Sequence, residues 1–262
     1  MIEINKNYHS DCLDLMAKMP DCFIDLVVTS PPYDDIRNYN GFSFDFESIA
    51  KQLFRVVKDG GVVVWVVSDS KKNHDLTATS FKQALYFKEV GFTFFDNIIW
   101  HKPGNPSPSA ANQYRRIYEY MFVFSKGKPK TFNGIKDWVS FEPHVKRRLH
   151  YKYYKKDGKD LRSSHIRKKT EPTHLRGNVW KMNVGNLSSS VRTGHPAIFP
   201  EKLASDHIIS WSNEGDLVYD PFAGSGTTLR MAKDLKRNFI GSEISKEYCE
   251  IIEKRLAQEV IL

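Results

Sequence analysis

The stretch that decides the fold is Leu217–Glu243, with the sequence LVYDPFAGSGTTLRMAKDLKRNFIGSE. Its parts follow the order strand, glycine turn, helix and strand: Leu217–Tyr219, Asp220–Gly226, Thr227–Leu235 and Phe239–Gly241. The two strand segments are apolar, and the segment between them has the apolar spacing of a helix. This order predicts a β-α-β unit with two parallel strands.

The turn of this unit has the features of a site for a nucleoside-containing cofactor. Gly224 and Gly226 let the backbone turn tightly and approach a ligand closely, and the helix that follows presents N–H groups at its N-terminus. Glu243 lies at the end of the second strand, where a carboxylate can accept hydrogen bonds from both hydroxyls of a ribose. The turn has neither a GxGxxG nor a GxxxxGK[ST] pattern, which disfavours a pyrophosphate or triphosphate ligand. For the glycines alone, an ordinary turn is the alternative.

The rest of the chain repeats the alternation of strands and helices. Ile24–Thr29 and Val62–Val67 are apolar runs, and the second is typical of a strand buried on both faces. Helices are predicted at 46–57, 79–90, 200–211 and 246–260, and further strands at 94–100 and 119–124. A glycine-containing break is predicted at 58–61, and a long proline-rich loop at 101–116. The predicted fold class is therefore α/β, with a parallel sheet that carries helices on both faces.

A second motif follows the first of these strands. Ser30, Pro31, Pro32 and Tyr33 stand at its carboxyl end, where open α/β sheets place their ligand sites. Two successive prolines fix the backbone and remove two N–H donors, which leaves carbonyl oxygens, a hydroxyl and an aromatic ring. This set suits a planar molecule with an amino group, because oxygens accept its N–H bonds and the ring can stack on it. A Pro-Pro turn that packs a structural tyrosine is the alternative.

The charge of the chain is concentrated in one region. The formal net charge is +8, but residues 126–181 contain 17 Lys and Arg against five acids, a balance of +12. The remaining residues therefore sum to −4. Clustered cations of this kind indicate a polyanionic partner such as nucleic acid, and a solvated basic surface is the alternative.

The composition excludes several classes of protein. Of the 262 residues, 13% are aromatic, which is more apolar surface than disordered chains have. No apolar run approaches the ~20 residues needed to span a bilayer, and acids near the start argue against a secretory signal. The three cysteines are widely spaced and include no CxxC pair. This cysteine pattern predicts neither disulfides nor a metal site and fits a cytoplasmic protein. The lack of a long apolar run predicts that the protein has no membrane partner.

Four motifs together resemble those of one enzyme family. The order Asp11-Cys12, Thr29–Tyr33, His195–Pro200 and Asp220–Gly226 is similar to that of the β-type, circularly permuted DNA amino-methyltransferases. These enzymes methylate the N4 of cytosine or the N6 of adenine. The resemblance implies a Rossmann-like, S-adenosylmethionine-dependent methyltransferase sheet with an inserted target-recognition region. Its parts would be a catalytic half at 1–125, a basic recognition region at 126–181 and a cofactor-binding half at 182–262.

The resemblance also implies roles for individual residues. Ser30, Pro31, Pro32 and Tyr33 would hold a base flipped out of the duplex, and no nucleophile is needed. The family's cofactor, S-adenosyl-L-methionine, is expected to bind without a metal at one set of residues: Asp11, Cys12, Phe199, Pro200, Asp220, Pro221, Phe222, Gly224, Ser225, Gly226 and Glu243. Candidate contacts to double-stranded DNA are Arg37, Arg115, Arg116, Arg147, Arg148, Arg162 and Lys168.

The implied activity is site-specific methylation of cytosine N4 in duplex DNA, in a restriction-modification or phage-protection context. Ser30 favours cytosine, because serine opens this motif more often in N4-cytosine enzymes, and N6-adenine methylation is the alternative. The chain has no Pro-Cys pair, so methylation of cytosine C5 is disfavoured. An RNA or protein-amide methyltransferase and a DNA-binding protein without catalysis are weaker alternatives. A cognate restriction endonuclease and a second copy of the chain are further candidate partners.

Overall fold

A computed structural model describes residues 2–32, 44–103, 114–138, 174–183 and 200–258. The chain divides into two compact units. The larger unit combines Met1–Asn133 with Asn178–Leu262, and the smaller unit is Gly134–Gly177. The regular elements within the described residues are six helices and twelve strands, several of them short.

The helices are α1 Cys12–Met16, α2 Phe46–Val56, α3 Thr79–Val90, α4 Glu201–Trp211, α5 Thr227–Asp234 and α6 Lys246–Ala257. The strands are β1 Lys6–His9, β2 Ile24–Thr29, β3 Val57–Val67, β4 Lys71–Lys72, β5 Asp75–Leu76, β6 Thr93–His101, β7 Tyr118–Ser125, β8 Lys136–Trp138, β9 His174–Leu175, β10 Val179–Lys181, β11 Leu217–Asp220 and β12 Asn238–Glu243. Among the helices of the described residues, none is both long and apolar enough to cross a membrane.

Eight strands of the larger unit form one sheet, in the order β1-β12-β11-β2-β3-β7-β6-β10. All neighbours pair in parallel except β7, which is antiparallel to β3 and to β6. The carboxyl ends of the other seven strands therefore lie at the same edge. The predicted α/β class with a parallel sheet is confirmed, and among the strands that the structure describes β7 is the one reversed strand in this sheet.

Helices cover both faces of this sheet, and β3 shows why. Its alternate residues enter two separate cores: Val63 and Trp65 pack on the face covered by α1, α2 and α3, and Val62 and Val64 pack on the face covered by α4, α5 and α6. Successive strand residues point to opposite faces, so a strand buried on both faces is apolar throughout. The continuous run Val62–Val67 is explained in this way.

The structure differs from the sequence-based expectation at some boundaries. The predicted break at 58–61 lies within β3, where Gly60 has a φ of 77° and donates its N–H to the Lys126 carbonyl. Strands β1 and β10 were not predicted from the sequence. The smaller unit, Gly134–Gly177, lies within the region 126–181, and the predicted bounds and role of that region stay predictions. Strand β10 pairs with β6, and residues 126–133 belong to the larger unit. Within the smaller unit, β8 and β9 pair antiparallel, and Arg176 forms an ion pair with Asp137.

Candidate functional site

Four parallel strands end in polar residues at one edge of the sheet. These residues are His9 of β1, Thr29 of β2, Asp220 of β11 and Glu243 of β12. In the register, His9 pairs with Glu243, Asp220 lies beside Gly241, and Val218 pairs with Leu26. Strands that are far apart in the sequence therefore have their carboxyl ends next to each other in the sheet. The two predicted motifs, which follow β2 and β11, lie together at this edge, where open α/β sheets hold their ligands.

A hydrogen bond joins the two motifs directly. The hydroxyl of Thr29, the last residue of β2, donates to Oδ1 of Asp220 over 2.6 Å. The same oxygen accepts the backbone N–H of Phe222 at 3.0 Å. Thr29 is fully buried and Asp220 is 2% exposed. Burial raises the pKa of the Asp220 carboxyl to about 6, against the opposite effect of the hydrogen bonds from Thr29 and Phe222.

The glycine turn has the tight backbone that the sequence predicted. Gly224 and Gly226 have φ angles of 52° and 80°, in the left-handed region that favours glycine. The Gly226 N–H donates to the Ala223 carbonyl at 2.7 Å. A Cβ atom on Gly226 would lie 2.9 Å from Cγ1 of Ile252, on α6. Both the φ angle and the packing therefore require glycine at 226.

The carboxylate of Glu243 is held by two backbone amides. Its Oε2 accepts the N–H of Gly224 at 2.8 Å, and its Oε1 accepts the N–H of Ser245 at 2.9 Å. Burial raises the pKa of this carboxyl, and hydrogen bonds from the amides of Ser245, Gly224 and Ile244 act in the opposite direction. A carboxylate has about four acceptor positions, so the two oxygens can still accept hydroxyl groups.

The end of β2 is fixed by a second hydrogen bond besides the one from Thr29 to Asp220. The hydroxyl of Thr228, in the first turn of α5, donates to the Val28 carbonyl at 3.1 Å. Pro31 is buried, whereas Ser30 and Pro32 are partly exposed. The motif therefore begins on a rigid support and emerges at the edge of the sheet.

The residues expected to contact the cofactor adenine show structural roles. Asp11 caps α1, and its Oδ1 accepts the N–H of Leu13 at 2.7 Å. Cys12 is buried in the core, and burial together with the nearby Asp11 charge raises the pKa of its thiol to about 12. A cofactor contact by either residue stays a prediction.

Phe222 and Pro200 also lie within the described residues. The Phe222 ring packs against Phe44 and Trp65, with centroids 5.7 and 6.2 Å away, so it extends one of the two cores toward the edge. Pro200 is buried directly before α4. Pro221 and Ser225 are buried in the turn itself. Their contacts with a cofactor stay predictions as well.

Two of the predicted DNA contacts lie just before β7, at the same edge of the sheet. Arg115 is exposed. Arg116 donates from Nη1 to the carbonyl of Asp69 at 2.7 Å, and the Asp69 carboxylate accepts both the N–H and the hydroxyl of Ser80. Arg116 therefore anchors this segment. The predicted residues outside the described part of the chain are Tyr33, Arg37, Arg147, Arg148, Arg162, Lys168 and Phe199.

Three residues of the site were not selected from the sequence. The motif Thr29–Tyr33 includes Thr29, but the spacing gave its hydroxyl no role. Thr228 follows the glycines at the start of α5, a position that could have indicated it. Arg255, on α6, donates from Nη1 to the Ser225 carbonyl at 3.2 Å and belongs to no motif.

The described part of this edge contains no evident cation site. Within the residues that the structure describes, no group of three or more His, Cys, Asp or Glu side chains is arranged to hold a metal ion. The carboxylates of Asp220 and Glu243 are instead held by hydrogen-bond donors. The expectation of a metal-free site stays a prediction.

Comparison with known proteins gives consistent matches over most of the chain. The profile of the DNA methylase family (N6/N4 type) matches residues 24–254. The orphan methyltransferase M.BamHII of Bacillus amyloliquefaciens is 52% identical over 249 residues, which cover 92% of each chain. The structure of the cytosine-N4-specific PvuII DNA methyltransferase has a TM-score of 0.71 at 22% identity, covering 98% of this chain and 88% of that one. The Thermus thermophilus protein TTHA0409, in complex with S-adenosyl-L-methionine, has a TM-score of 0.62 at 25% identity, covering 96% and 94%.

Proposed function

Since the chain belongs to the DNA methylase family of N6 and N4 type, we propose that it is a site-specific DNA methyltransferase acting on cytosine N4. Its methyl donor would be S-adenosyl-L-methionine. The observation that carries the proposal is the bond from Thr29 to Asp220. It holds the beginning of the Ser30-Pro31-Pro32 segment beside the glycine turn, so the motif that we propose for the base and the motif that we propose for the cofactor lie at one edge of the sheet.

The described residues fit this cofactor. The left-handed turn at Gly224 and Gly226 brings backbone close to a ligand, and Glu243 retains acceptor positions for ribose hydroxyls. When bound, S-adenosyl-L-methionine supplies an electrophilic methyl group on a sulfonium. The binding residues that we propose here are Asp11, Cys12, Pro200, Asp220, Pro221, Phe222, Gly224, Ser225, Gly226 and Glu243, with Phe199 beyond the described ranges. The bound complex of TTHA0409 supports the choice of cofactor.

The residues after β2 would bind the target base. The Ser30 hydroxyl and the Pro31 carbonyl accept hydrogen bonds from an exocyclic amino group, which holds the nitrogen lone pair toward the methyl donor. Tyr33 would stack on a base flipped out of the duplex and offset part of the few kcal/mol that unstacking costs. The rigid support of Thr29 preorganises this segment, so most of the acceleration would come from positioning rather than from a covalent step.

The choice of cytosine rests on Ser30. The structural likeness to the PvuII enzyme concerns the fold and does not decide the base. A serine at this position is the feature that favours N4 of cytosine in the family pattern. The excess of Lys and Arg between 126 and 181 would supply contacts to the phosphates of duplex DNA, with an affinity that falls as salt rises.

The biological setting is protection of DNA by methylation. The relative that is 52% identical is named an orphan methyltransferase, and this name supports action without a dedicated endonuclease. A cognate restriction endonuclease and a homodimer remain predictions from the sequence. We propose that the primary product is a modified site in the host or phage genome.

The test is methylation-aware sequencing of DNA from cells that express the protein. We expect N4-methylcytosine at one fixed sequence motif, and no such motif in cells that carry an empty vector. If the modified base at the fixed motif is instead N6-methyladenine, the target is adenine and the proposed choice of cytosine is wrong. Purified protein that transfers no labelled methyl group from S-adenosyl-L-methionine to any duplex DNA would contradict the whole proposal.

A further inference from the structure

The side chain of Arg255 is a buried cation next to the glycine turn. Arg255 lies in the last turn of α6 and is 4% exposed. Its Nη1 is within hydrogen-bonding distance of the Ser225 carbonyl at 3.2 Å, the Ser225 hydroxyl at 3.5 Å and the Thr227 hydroxyl at 3.1 Å. One nitrogen thus contacts both residues that flank Gly226.

The other nitrogen of the same guanidinium reaches a different element. Nη2 of Arg255 forms an ion pair with Oε1 of Glu201 at 2.5 Å. Glu201 is the first residue of α4 and follows the buried Pro200. A carboxylate in the first turn of a helix is also stabilised by the helix dipole. The guanidinium therefore joins the start of α4 to the glycine turn.

A second residue on the same face of α6 contacts the turn. Ile252 precedes Arg255 by three positions, which places both side chains on one side of the helix. Ile252 is fully buried and packs against Gly226, so closely that a Cβ at 226 would be 2.9 Å from it. One face of α6 therefore fixes the turn by packing at Gly226 and by hydrogen bonds on either side of it.

We infer that Arg255 is a positioning residue for cofactor binding. Its guanidinium holds the turn Ser225–Thr227 at a fixed position relative to the start of α4. The inference rests on the proposed function, because it takes the turn and Pro200 as parts of the cofactor site. Arg255 itself contacts no cofactor in this assignment. It acts through Ser225, Thr227 and Glu201.

The chemistry of the guanidinium explains why arginine stands at this position. A planar fork with five donors can bond two elements at once, which a lysine ammonium does with less geometric control. Removing it leaves Glu201 without this partner and the Ser225 carbonyl without its donor. The bonds of Arg255 go to the turn and to α4, and none of its described bonds goes to Ser30 or Pro31. The loss should therefore affect cofactor affinity more than the rate of methyl transfer.

The experiment measures cofactor affinity separately from turnover in the full-length protein. For Arg255→Met we expect the Kd for S-adenosylhomocysteine and the KM for S-adenosylmethionine to rise about tenfold. We expect kcat at saturating cofactor to change by less than about twofold. Arg255→Lys should recover part of the affinity. A KM that stays at the wild-type value in the Met variant, or a kcat that falls as much as kcat/KM, overturns the inference.

Arg237→Met is the matched control for a general loss of stability. Arg237 also bonds through its guanidinium, to the carbonyl and hydroxyl of Ser212 and the carbonyl of Leu235, but it lies at the opposite edge of the sheet. This variant should lower the melting temperature and leave the cofactor Kd within about twofold of wild type. If it weakens cofactor binding as much as Arg255→Met does, the effect is one of stability and the inference is wrong.

A double-mutant cycle with Glu201 keeps the test decisive if Arg255→Met folds poorly. Glu201→Ala should also raise the cofactor Kd. Adding Arg255→Lys to this variant should then raise the Kd by a smaller factor than Arg255→Lys does in the wild type, because the two residues act as a pair. If the changes in binding free energy caused by the two substitutions simply add, Arg255 does not act through Glu201 and the inference is overturned. Wild-type protein that binds neither S-adenosylmethionine nor S-adenosylhomocysteine would instead refute the proposed function, which separates the two failures.

Discussion

Oδ1 of Asp220 accepts the hydroxyl of Thr29 at 2.6 Å, although the two residues are 191 positions apart. The bond is fully inside the protein, where a hydrogen bond to a carboxylate is stronger than at the surface. It joins Thr29, the first residue of the motif Thr29–Tyr33, to Asp220, the first residue of the glycine turn. The positions of the two motifs relative to each other therefore depend in part on this hydrogen bond.

We predict that Thr29→Val lowers the free energy of unfolding by about 1.5–3 kcal/mol at pH 8, where Asp220 is ionised. The reason is that valine keeps the shape of threonine but removes the donor from a buried carboxylate. The loss should be smaller at pH 5, where the carboxyl is largely protonated. Urea unfolding at the two pH values measures both effects, and Thr29→Ser, which keeps the hydroxyl, is the control. Equal losses at pH 5 and pH 8 would contradict the role of the carboxylate charge.

A second prediction concerns the pH dependence of stability. Burial raises the pKa of Asp220 to about 6, so the folded state favours the neutral acid. The stability associated with this group is complete below its unfolded pKa of about 4 and is lost as the pH rises through about 6. Asp220→Asn removes this titration. Between pH 4 and pH 7 the wild type should lose up to ~3 kcal/mol relative to the variant, and a constant difference would show that Asp220 does not titrate in this range.

The third prediction tests the base-binding motif. Ser30→Ala should lower kcat at least about tenfold, since one acceptor for the exocyclic amine is lost. The cofactor Kd should change little, because the residues proposed to bind the cofactor lie at or just after the ends of β1, β11 and β12 or just before α4, and none of them lies directly after β2. Single-turnover methylation and calorimetry with S-adenosylhomocysteine measure the two quantities. A loss of cofactor binding with an unchanged single-turnover rate would remove Ser30 from the role proposed for it.

The glycine turn gives a fourth prediction with a close control. Gly226→Ala introduces both a left-handed alanine and a contact of 2.9 Å with Ile252, so it should cost about 1–3 kcal/mol and weaken cofactor binding. Gly215→Ala has a similar φ of 85°, but a Cβ there meets no atom within 4 Å. The Gly215 variant should show the strain alone, with cofactor affinity retained. Thermal unfolding and calorimetry compare the two.

The fifth prediction separates two neighbouring arginines. Arg115→Ala should weaken DNA binding and reduce the slope of log Kd against log salt by about one, with stability unchanged, because Arg115 is exposed. Arg116→Ala should also lower the melting temperature, since Arg116 donates to the Asp69 carbonyl. Lys88→Ala, an exposed change in the last turn of α3, is the control. Identical salt slopes for wild type and Arg115→Ala would exclude a phosphate contact there.

Elements whose residue pattern has a single physical cause could be predicted from the sequence. The run Val62–Val67 indicated a strand buried on both faces, and Gly224 and Gly226 indicated a tight turn next to a helix. Strand β1, by contrast, has mixed polar residues because it lies at an edge of the sheet and is partly exposed. Strand β10 has three residues, of which only Trp180 is buried. Neither strand has enough periodicity to be recognised.

The supporting residues of the site could not be found from local pattern for a different reason. Thr29 and Arg255 act through partners that lie far away along the chain, at Asp220 and at Glu201. Spacing within a motif carries no information about such partners. Their roles follow only from the order of strands in the sheet and from the position of α6 against the turn.

The position of β2 has a consequence for how the chain folds. One neighbour of β2, strand β3, follows it soon in the sequence, but its other neighbour, β11, pairs through Val218 with Leu26. A ribosome adds about 5–20 residues per second, so a separation of 191 residues corresponds to roughly 10–40 s. During that time the edge of an apolar central strand is open to pairing with other chains. The nascent protein is therefore open to aggregation at β2 until β11 has been synthesised and can pair with it.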